Sequence, residues 1–362
     1  MASVDMGARN QVLDIAKGIG IILVFLGHSL WKGGLAFGTI FNFHMPLFFF
    51  ISGMLFKPWK YASSLELFKH VVVAFLIPYI FFSTLGLLTF WLSPRFPHDL
   101  RGVLSLVYSI FVGCHPRTNG PTWFLIVLAE VQLMAWLVLK ASNGNSLALL
   151  LYAVLVYVIG SIGWSLWLPR FSQNLIPFRF LSAMLAFLYF AFGYVVAKCD
   201  LVELSSRCPL KFVFLRAVSC VRILKFLVVV LVVLVMVFLT HWFGRNSIVD
   251  YPWHPFLFIV TSMLGVIVVL TVSREIVYVD RKMWGWLSYI GRNSLYYFVC
   301  EMVVGLAVWR VMAIGLSNLS WPFYACHCHQ GISILYCVLN VLAVSAVLPV
   351  VRLCYTKIKE RF

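Results

Sequence analysis

About ten long apolar runs divide this sequence, and they constrain its fold more than any other feature. A helix needs about 20 mostly apolar residues to cross the hydrocarbon core of a bilayer. Runs near that length lie at roughly 12–30, 40–56, 70–92, 122–140, 147–167, 180–198, 223–243, 255–272, 293–315 and 331–354. The sequence therefore predicts an all-α, polytopic transmembrane helical bundle of about ten spans. We expect one integral-membrane domain over residues 1–362.

The composition supports a membrane protein with the lipid bilayer as its surroundings. Hydrophobic residues make up 62% of the chain and charged residues only 11%, too little charge for a water-facing surface. The apolar stretch at 103–113 is too short to span a bilayer, which indicates a re-entrant or interfacial segment.

The net charge of +16 is explained first by membrane topology. Lys and Arg are concentrated in alternate loops and in the C-terminal segment, on the same side as Arg9 near the N-terminus, and such basic-rich segments face the cytoplasm. We therefore expect cytoplasmic N- and C-termini, and an even number of spans places both termini on the same side of the membrane. No nucleic-acid partner is expected, whereas excess positive charge can steer an anionic ligand such as a phosphorylated co-substrate.

Three ionisable residues lie in the first two spans, where charge is costly. Ten residues separate Lys17 from His28, which places both on one face of the first helix, about 16 Å apart along its axis. His44 begins the second span from the opposite side of the hairpin, so it can lie at a depth similar to that of His28. Ionisable groups inside spans usually mark functional sites.

Each of the three residues also has a structural interpretation. Lys17 can extend its ammonium group to the membrane surface, and His28 can be a core histidine whose ring bonds a carbonyl. His44 alone can be an interfacial histidine. The pair favours a catalytic site, because a neutral imidazole is a suitable general base for a hydroxyl group.

Other polar residues in the spans are candidates for substrate contact or support. Glu130 lies in an otherwise apolar helix, and a charge partner or a sugar contact is preferred to lipid exposure. Arg179 either holds an anionic acceptor group or lies at the interface. Trp123 either stacks on a sugar or belongs to the aromatic belt, and the belt is the preferred interpretation.

Small and amide side chains add further candidates. Ser52, followed by Gly53, indicates a close helix-packing site, with a place in the acyl pocket as the alternative. Asn42 and Asn293 either orient ligands or cap helices.

The run Cys326-His327-Cys328-His329 resembles a metal site only superficially. Adjacent alternating ligands rarely complete a tetrahedron, and the sequence has no second CxxC motif. We expect no metal here. A disulfide between Cys114 and either Cys326 or Cys328 is preferred, because the predicted topology places these loops outside.

Several motifs, taken in order, resemble the acyltransferase-3 family of bacterial integral-membrane O-acyltransferases, in particular its sugar O-acetylase branch. The motifs are KGIGIILVFLGH, FNFHMPLFFFISG, IPYIFF, PTWFL and IGRNSLYYF. They extend over nearly the whole chain, and the FHMPLFFFISG block is the most specific of them.

The resemblance implies roles for residues that match the family pattern. A basic residue, ten intervening residues and a histidine are the family hallmark, so His28 should be essential and Lys17 should bind or orient the acyl donor. Relatives usually carry arginine where this chain has Lys17, and lysine lacks the planar fork of a guanidinium. Within the IGRNSL motif, Asn293 and Ser294 are further candidates for substrate contact or support. Many relatives also carry a histidine shortly after this motif. Glu301 stands at about that place here, as a proton carrier, a substrate ligand or a partner of a basic residue such as Arg310.

The sequence thus predicts an acyltransferase that moves acetyl from acetyl-CoA, or another acyl-CoA, to a hydroxyl of a cell-surface glycan or its lipid-linked precursor. The acyl-CoA is a co-substrate, and no bound cofactor is expected. His28, with His44 nearby, would take the hydroxyl proton, and a transient acyl-His28 is an alternative. The expected location is the bacterial cytoplasmic (inner) membrane. The competing hypothesis is an exporter or flippase for glycans or small organic acids.

Overall fold

The computed structural model describes residues 6–30, 34–91, 97, 99–112, 119–167, 177–198, 222–248, 254–279, 284–315 and 330–359. These residues form helices and connecting turns, and no strand occurs within these ranges. The helices are α1 (Met6–Ser29), α2 (Leu35–Leu55), α3 (Ser64–Val71), α4 (Ile77–Trp91), α5 (Leu100–Phe111), α6 (Trp123–Ala141), α7 (Ser146–Trp167), α8 (Phe180–Lys198), α9 (Arg222–Phe243), α10 (Pro255–Val279), α11 (Gly285–Arg292), α12 (Ser294–Gly315) and α13 (Gln330–Lys359).

Ten helical segments in the described part of the chain are long and apolar enough to cross a membrane. A π-helical turn at Val72–Leu76 joins α3 to α4, so these two helices form one such segment, Ser64–Leu88. The prediction of an all-α bundle of about ten spans is therefore confirmed. The short stretch near 103–113 is the helix α5, which is too short to span.

Close contact between α2 and α8 depends on two glycines. A Cβ atom added to Gly53 would collide with the carbonyl oxygen of Phe190, and one added to Gly193 would collide with the carbonyl oxygen of Phe50. Lipid supplies little hydrophobic force between helices, so such close van der Waals packing holds membrane helices together. The helix-packing interpretation of the Ser52–Gly53 pair is thus confirmed at Gly53.

Helix α1 lies at the centre of the bundle. It packs against α2, α10, α11, α12 and α13. Glycines again permit the closest approach, because a Cβ on Gly18 would collide with the Leu287 carbonyl and one on Gly291 with the Asp14 carbonyl. The short helix α11 is therefore seated directly on α1, and α12 follows it.

Aromatic side chains fill the space between α2, α6 and α12. The ring centroid of Phe124 lies 4.9 Å from that of Phe49 and 5.2 Å from that of Phe298. Such ring pairs add to the packing gained from buried area. This cluster fixes the position of α12 relative to α2, and with it the position of Glu301.

Candidate active site

A histidine and a carboxylate meet between α1 and α12. Nδ1 of His28 lies 3.1 Å from Oε2 of Glu301. The two side chains differ in exposure, since 33% of the His28 side chain is accessible but only 6% of the Glu301 side chain. Glu301 therefore pairs with His28 rather than with Arg310, the partner suggested from the sequence.

This pairing determines which nitrogen of His28 is basic. A carboxylate can only accept hydrogen bonds, so in the tautomer that suits a Glu301 carboxylate the N–H at Nδ1 of His28 donates a hydrogen bond to Oε2. In the neutral ring the lone pair is then on Nε2, which leaves Nε2 as the proton acceptor. A carboxylate that is hydrogen-bonded to Nδ1 also stabilises the imidazolium that forms when Nε2 takes a proton.

Glu301 is itself held by the neighbouring helix. The side-chain amide of Asn340, on α13, donates to the backbone carbonyl of Glu301 across 3.2 Å. The helices approach closely at Gly305, where a Cβ would collide with the Tyr336 hydroxyl. These contacts fix the backbone of α12 around Glu301, whose carboxylate lies on the buried side of His28.

His44 lies close to His28, as the hairpin geometry predicts. Both rings contact Phe41, with centroid separations of 5.9 Å for His28 and 4.7 Å for His44. The His44 side chain is buried, and its Nδ1 donates to the Ile40 carbonyl across 2.9 Å. Its basic nitrogen is therefore Nε2 as well.

A proline in α2 organises the backbone next to His44. Pro46 has no N–H, so it cannot donate to the carbonyl of Asn42, one helical turn earlier. The hydroxyl of Ser262, on α10, donates to that carbonyl instead, across 2.6 Å. The proline thus creates an acceptor that ties α2 to α10.

The side chain of Asn42 joins the same network. Its amide donates to Oγ1 of Thr240 across 2.9 Å, and its Oδ1 accepts from the backbone N–H of Asn246 across 2.6 Å. The residue is buried in the middle of α2. Asn42 is therefore neither a helix cap nor in contact with solvent, but connects α2, α9 and the turn that follows α9.

Lys17 does not lie beside the two histidines. Its Nζ is 2.8 Å from Oδ1 of Asp14, in the preceding turn of α1, and both side chains are about one-fifth exposed. Sequence reasoning missed Asp14, although two opposite charges three positions apart on a helix are a readable pattern. The ion pair holds Lys17 near α11, toward the other end of α1 from His28.

Asn293 and Ser294 are also separate from the histidines. Asn293 caps the C-terminus of α11, where its side-chain amide donates to the Tyr289 carbonyl across 2.8 Å. Its own carbonyl accepts from the N–H groups of Tyr296 and Tyr297 in the first turn of α12, which begins at Ser294. The capping interpretation of Asn293 is therefore correct.

Trp123 and Arg179 lie together at the start of α6. The guanidinium carbon of Arg179 is 5.5 Å from the centre of the Trp123 ring, and both residues are only 6% exposed. Both side chains are therefore enclosed by protein rather than exposed to lipid, while the interfacial interpretations of Trp123 and Arg179 stay predictions. Arg179 has a positive φ of 56°, which is strained backbone for an arginine.

The position of Trp123 brings it to the level of Glu301. The residues just before α6 bond to α12: the side-chain amide of Asn119 donates to the Val299 carbonyl across 2.9 Å. The N–H of Gly120 also points to the sulfur of Met302. The start of α6 thus lies beside the turn of α12 that carries Glu301.

Glu130 and Ser52 have no such connection to the histidines. Glu130 lies two turns further along α6, where its Oε2 is buried and meets no hydrogen-bond donor among the described residues. Ser52 is half-buried on α2 beside the Gly53 contact. Neither residue is brought to the His28–Glu301 pair by the contacts of the described chain.

Metal and disulfide predictions concern loops that are not described. Cys114 and the run Cys326–His329 lie outside the described residues. Within the described ranges, no group of three or more His, Cys, Asp or Glu is arranged to hold a metal ion.

Comparison with known proteins gave one match. A family model described as an acyltransferase domain, from the acyltransferase-3 family, matches residues 10–343, from the start of α1 into α13. Searches of curated proteins and of solved structures gave no match.

Proposed function

The chain belongs to the acyltransferase-3 family of membrane acyltransferases, and from this we propose that it transfers an acetyl group from acetyl-CoA to a hydroxyl of a glycan. It is a multi-pass membrane protein. The proposed location is the bacterial inner membrane, and the proposed acceptor is a cell-surface glycan or its lipid-linked precursor.

One observation carries the proposal: the partly exposed imidazole of His28 with a buried carboxylate, Glu301, on its Nδ1 side. This arrangement suits a general base that must take a proton and later return it.

The chemistry follows from the positions of the two basic groups. Nε2 of His28 would take the proton of the acceptor hydroxyl as its oxygen attacks the thioester carbonyl carbon. The C–S bond then breaks, and the imidazolium returns the proton to the CoA sulfur. Glu301 would hold the ring and stabilise its transient positive charge, while His44 would assist nearby as a second imidazole.

The donor would bind along α1. CoA carries several phosphates at one end of a long pantetheine arm and its thioester at the other end. Lys17 lies about 16 Å along the helix from His28, so the ammonium group would meet phosphate or the pantetheine region while the acyl group reaches His28. The strongly positive chain, with a net charge of +16, favours such an anionic co-substrate.

The test is acetyl transfer by the purified full-length protein in detergent, with acetyl-CoA labelled in the acetyl group. We expect labelled product and free CoA in equal amounts. The His28→Ala variant should lose about 10²- to 10⁴-fold in rate, the usual contribution of a general base.

Two outcomes would contradict the proposal. The first is full transfer activity by His28→Ala that folds and inserts normally. The second is movement of a glycan across vesicles that contain the protein, without release of CoA, which would support the exporter or flippase hypothesis instead.

A further inference from the structure

The short connection between α2 and α3 exposes positive charge and an aromatic ring at a membrane surface. Residues 56–63 join two candidate spans, and such a connection lies outside the hydrocarbon region. Within it, Pro58–Lys60 form a single 3₁₀ turn. Lys57, Trp59 and Lys60 are all exposed there, and 73% of Trp59 is accessible.

Helix α6 holds this connection in place. Nε1 of Trp136 donates to the Tyr61 carbonyl across 3.3 Å, and Nζ of Lys140 donates to the Ala62 carbonyl across 2.9 Å. The Lys140 ammonium group also lies 4.8 Å from the centre of the Trp136 ring. The backbone of the connection is therefore attached to the bundle just beyond its exposed residues.

Reciprocal hydrogen bonds fix the start of α3, in the manner of a capping box. The Ser63 hydroxyl accepts from the N–H of Glu66 across 3.2 Å, and Oε2 of Glu66 accepts from the N–H of Ala62 across 2.8 Å. Glu66 is the single acidic residue in the sequence from 56 to 71. Its carboxylate therefore bonds the backbone, while three lysines make this stretch positive.

One face of α3 continues the exposed surface. Leu67 and Val71 are buried against the bundle, whereas Leu65 is 61% exposed and Phe68 is 52% exposed. Lys69 is exposed as well, and positions 65, 68 and 69 lie within about 100° of one another around the helix. The helix thus turns two apolar side chains and a positive charge outward together.

These exposed side chains combine the properties of a lipid-binding surface. We call them the hairpin patch: Lys57, Trp59, Lys60, Leu65, Phe68 and Lys69. Lysines beside a membrane attract anionic headgroups, an indole is favoured at headgroup depth, and apolar side chains enter the boundary of the acyl chains. Among the described residues, no salt bridge engages any of the three lysine ammonium groups. The charge and the apolar area of the patch together match a phospholipid.

We propose that the hairpin patch binds an anionic phospholipid, with its lysines on the headgroup phosphate and its apolar side chains against the glycerol and upper acyl chains. Membrane topology alone accounts for lysines in such a connection. It does not account for exposed Trp59, Leu65 and Phe68 beside them on a backbone that hydrogen bonds hold in place. The inference does not depend on the acetyl-transfer reaction.

The test measures lipid binding by the purified full-length protein in a nonionic detergent. Dioleoyl phosphatidylglycerol is titrated in, and the thermal midpoint reports binding because a ligand of the folded state stabilises it. Dioleoyl phosphatidylcholine provides the same chains without net charge. Glycerol phosphate provides a soluble phosphate without acyl chains.

Two double variants separate the position of the charge from its amount. Lys57→Gln/Lys60→Gln removes two positive charges from the hairpin patch. Arg274→Gln/Arg292→Gln removes two from exposed positions on α10 and α11, outside the patch. The net charge of the protein changes equally in both.

We expect phosphatidylglycerol to raise the wild-type midpoint at lower concentrations than phosphatidylcholine, and glycerol phosphate to leave it unchanged. Each lysine near an anionic membrane surface contributes about fivefold in affinity, so Lys57→Gln/Lys60→Gln should need about thirtyfold more phosphatidylglycerol for the same rise. The control Arg274→Gln/Arg292→Gln should respond as the wild type does. If the patch double variant unfolds early without lipid, Lys69→Gln replaces it, with an expected loss of about fivefold.

Three results would overturn the proposal. Equal responses to phosphatidylglycerol and phosphatidylcholine would show that the headgroup charge is not recognised. Equal losses in the patch and control variants, or no loss in either, would show that the hairpin patch is not the binding surface. A rise in midpoint with glycerol phosphate equal to that with phosphatidylglycerol would indicate a site for soluble phosphate instead of lipid.

Discussion

Nδ1 of His28 lies 3.1 Å from Oε2 of Glu301, although the two residues are 273 positions apart in the sequence. The contact joins α1 to α12. Its importance is chemical as well as structural, because a carboxylate on Nδ1 makes Nε2 the basic nitrogen of the ring.

Replacing Glu301 by glutamine should slow acyl transfer without unfolding the protein. The amide oxygen can still accept from Nδ1, but the negative charge that stabilises the imidazolium is gone. We expect kcat to fall by about tenfold to a hundredfold, the value of a charge-assisted hydrogen bond, with KM for acetyl-CoA nearly unchanged. Initial rates in detergent measure both constants. A purely structural role would instead lower the thermal midpoint of Glu301→Gln in proportion to the loss of rate.

Lys17 should act on the donor rather than on the acceptor. We expect Lys17→Gln to raise KM for acetyl-CoA about tenfold through loss of a charge-assisted contact, whereas Lys17→Arg keeps the charge and should stay close to the wild type. The variant Asp14→Asn separates two explanations, because it removes the partner of the ion pair and leaves the ammonium group. If Asp14→Asn reproduces the effect of Lys17→Gln, the ion pair and not a donor contact is responsible.

Asn42→Ala should destabilise the protein. The substitution leaves the buried N–H of Asn246 without its acceptor and removes the bond to Thr240. Each buried polar group left unsatisfied costs about 1–3 kcal/mol. Thermal unfolding monitored by circular dichroism gives the midpoint, with Ser262→Ala as the comparison that orphans a single carbonyl. A midpoint for Asn42→Ala at or above that of Ser262→Ala would show that the Asn42 side chain does not stabilise the packing of α2 with α9.

Gly53→Ala and Gly193→Ala should each loosen the contact between α2 and α8. A methyl group at either position meets a backbone carbonyl, which cannot rotate away as a side chain can. Overpacking of this kind costs about 1–3 kcal/mol. The matched control is Gly331→Ala, since a Cβ there meets nothing within 4 Å. Similar thermal midpoints for all three variants would show that the helices separate easily.

The first hairpin shows how far sequence reasoning could reach. His28 and His44 are joined by a short connection, so their spans must be neighbours, and similar depth follows from counting residues. Lys17 and Asp14 are three positions apart on one helix, and this pair was also readable. Local spacing fixes such contacts because helix geometry is regular.

For Trp123 and Glu301, the sequence did not predict which residues they contact. Tryptophan near the end of a span is typical of an interfacial belt, yet the described contacts bury Trp123 against Arg179. Glu301 had several candidate roles, and only the packing of α11 on α1 and of Phe298 on Phe124 brings it to His28. The role of Asn42 likewise depends on its hydrogen bonds to residues of α9 and α10.

The sequence by itself determined the membrane class, the ten spans and the importance of the first hairpin. Transfer of an apolar run into lipid depends on composition, which each segment carries alone. The tertiary structure decided which polar groups meet. Glu301 contacts Nδ1 of His28, and the guanidinium of Arg245 lies over the rings of Phe37 and Phe41. These pairings depend on the relative positions of helices distant in sequence, which glycine contacts and aromatic packing set and which no single span encodes.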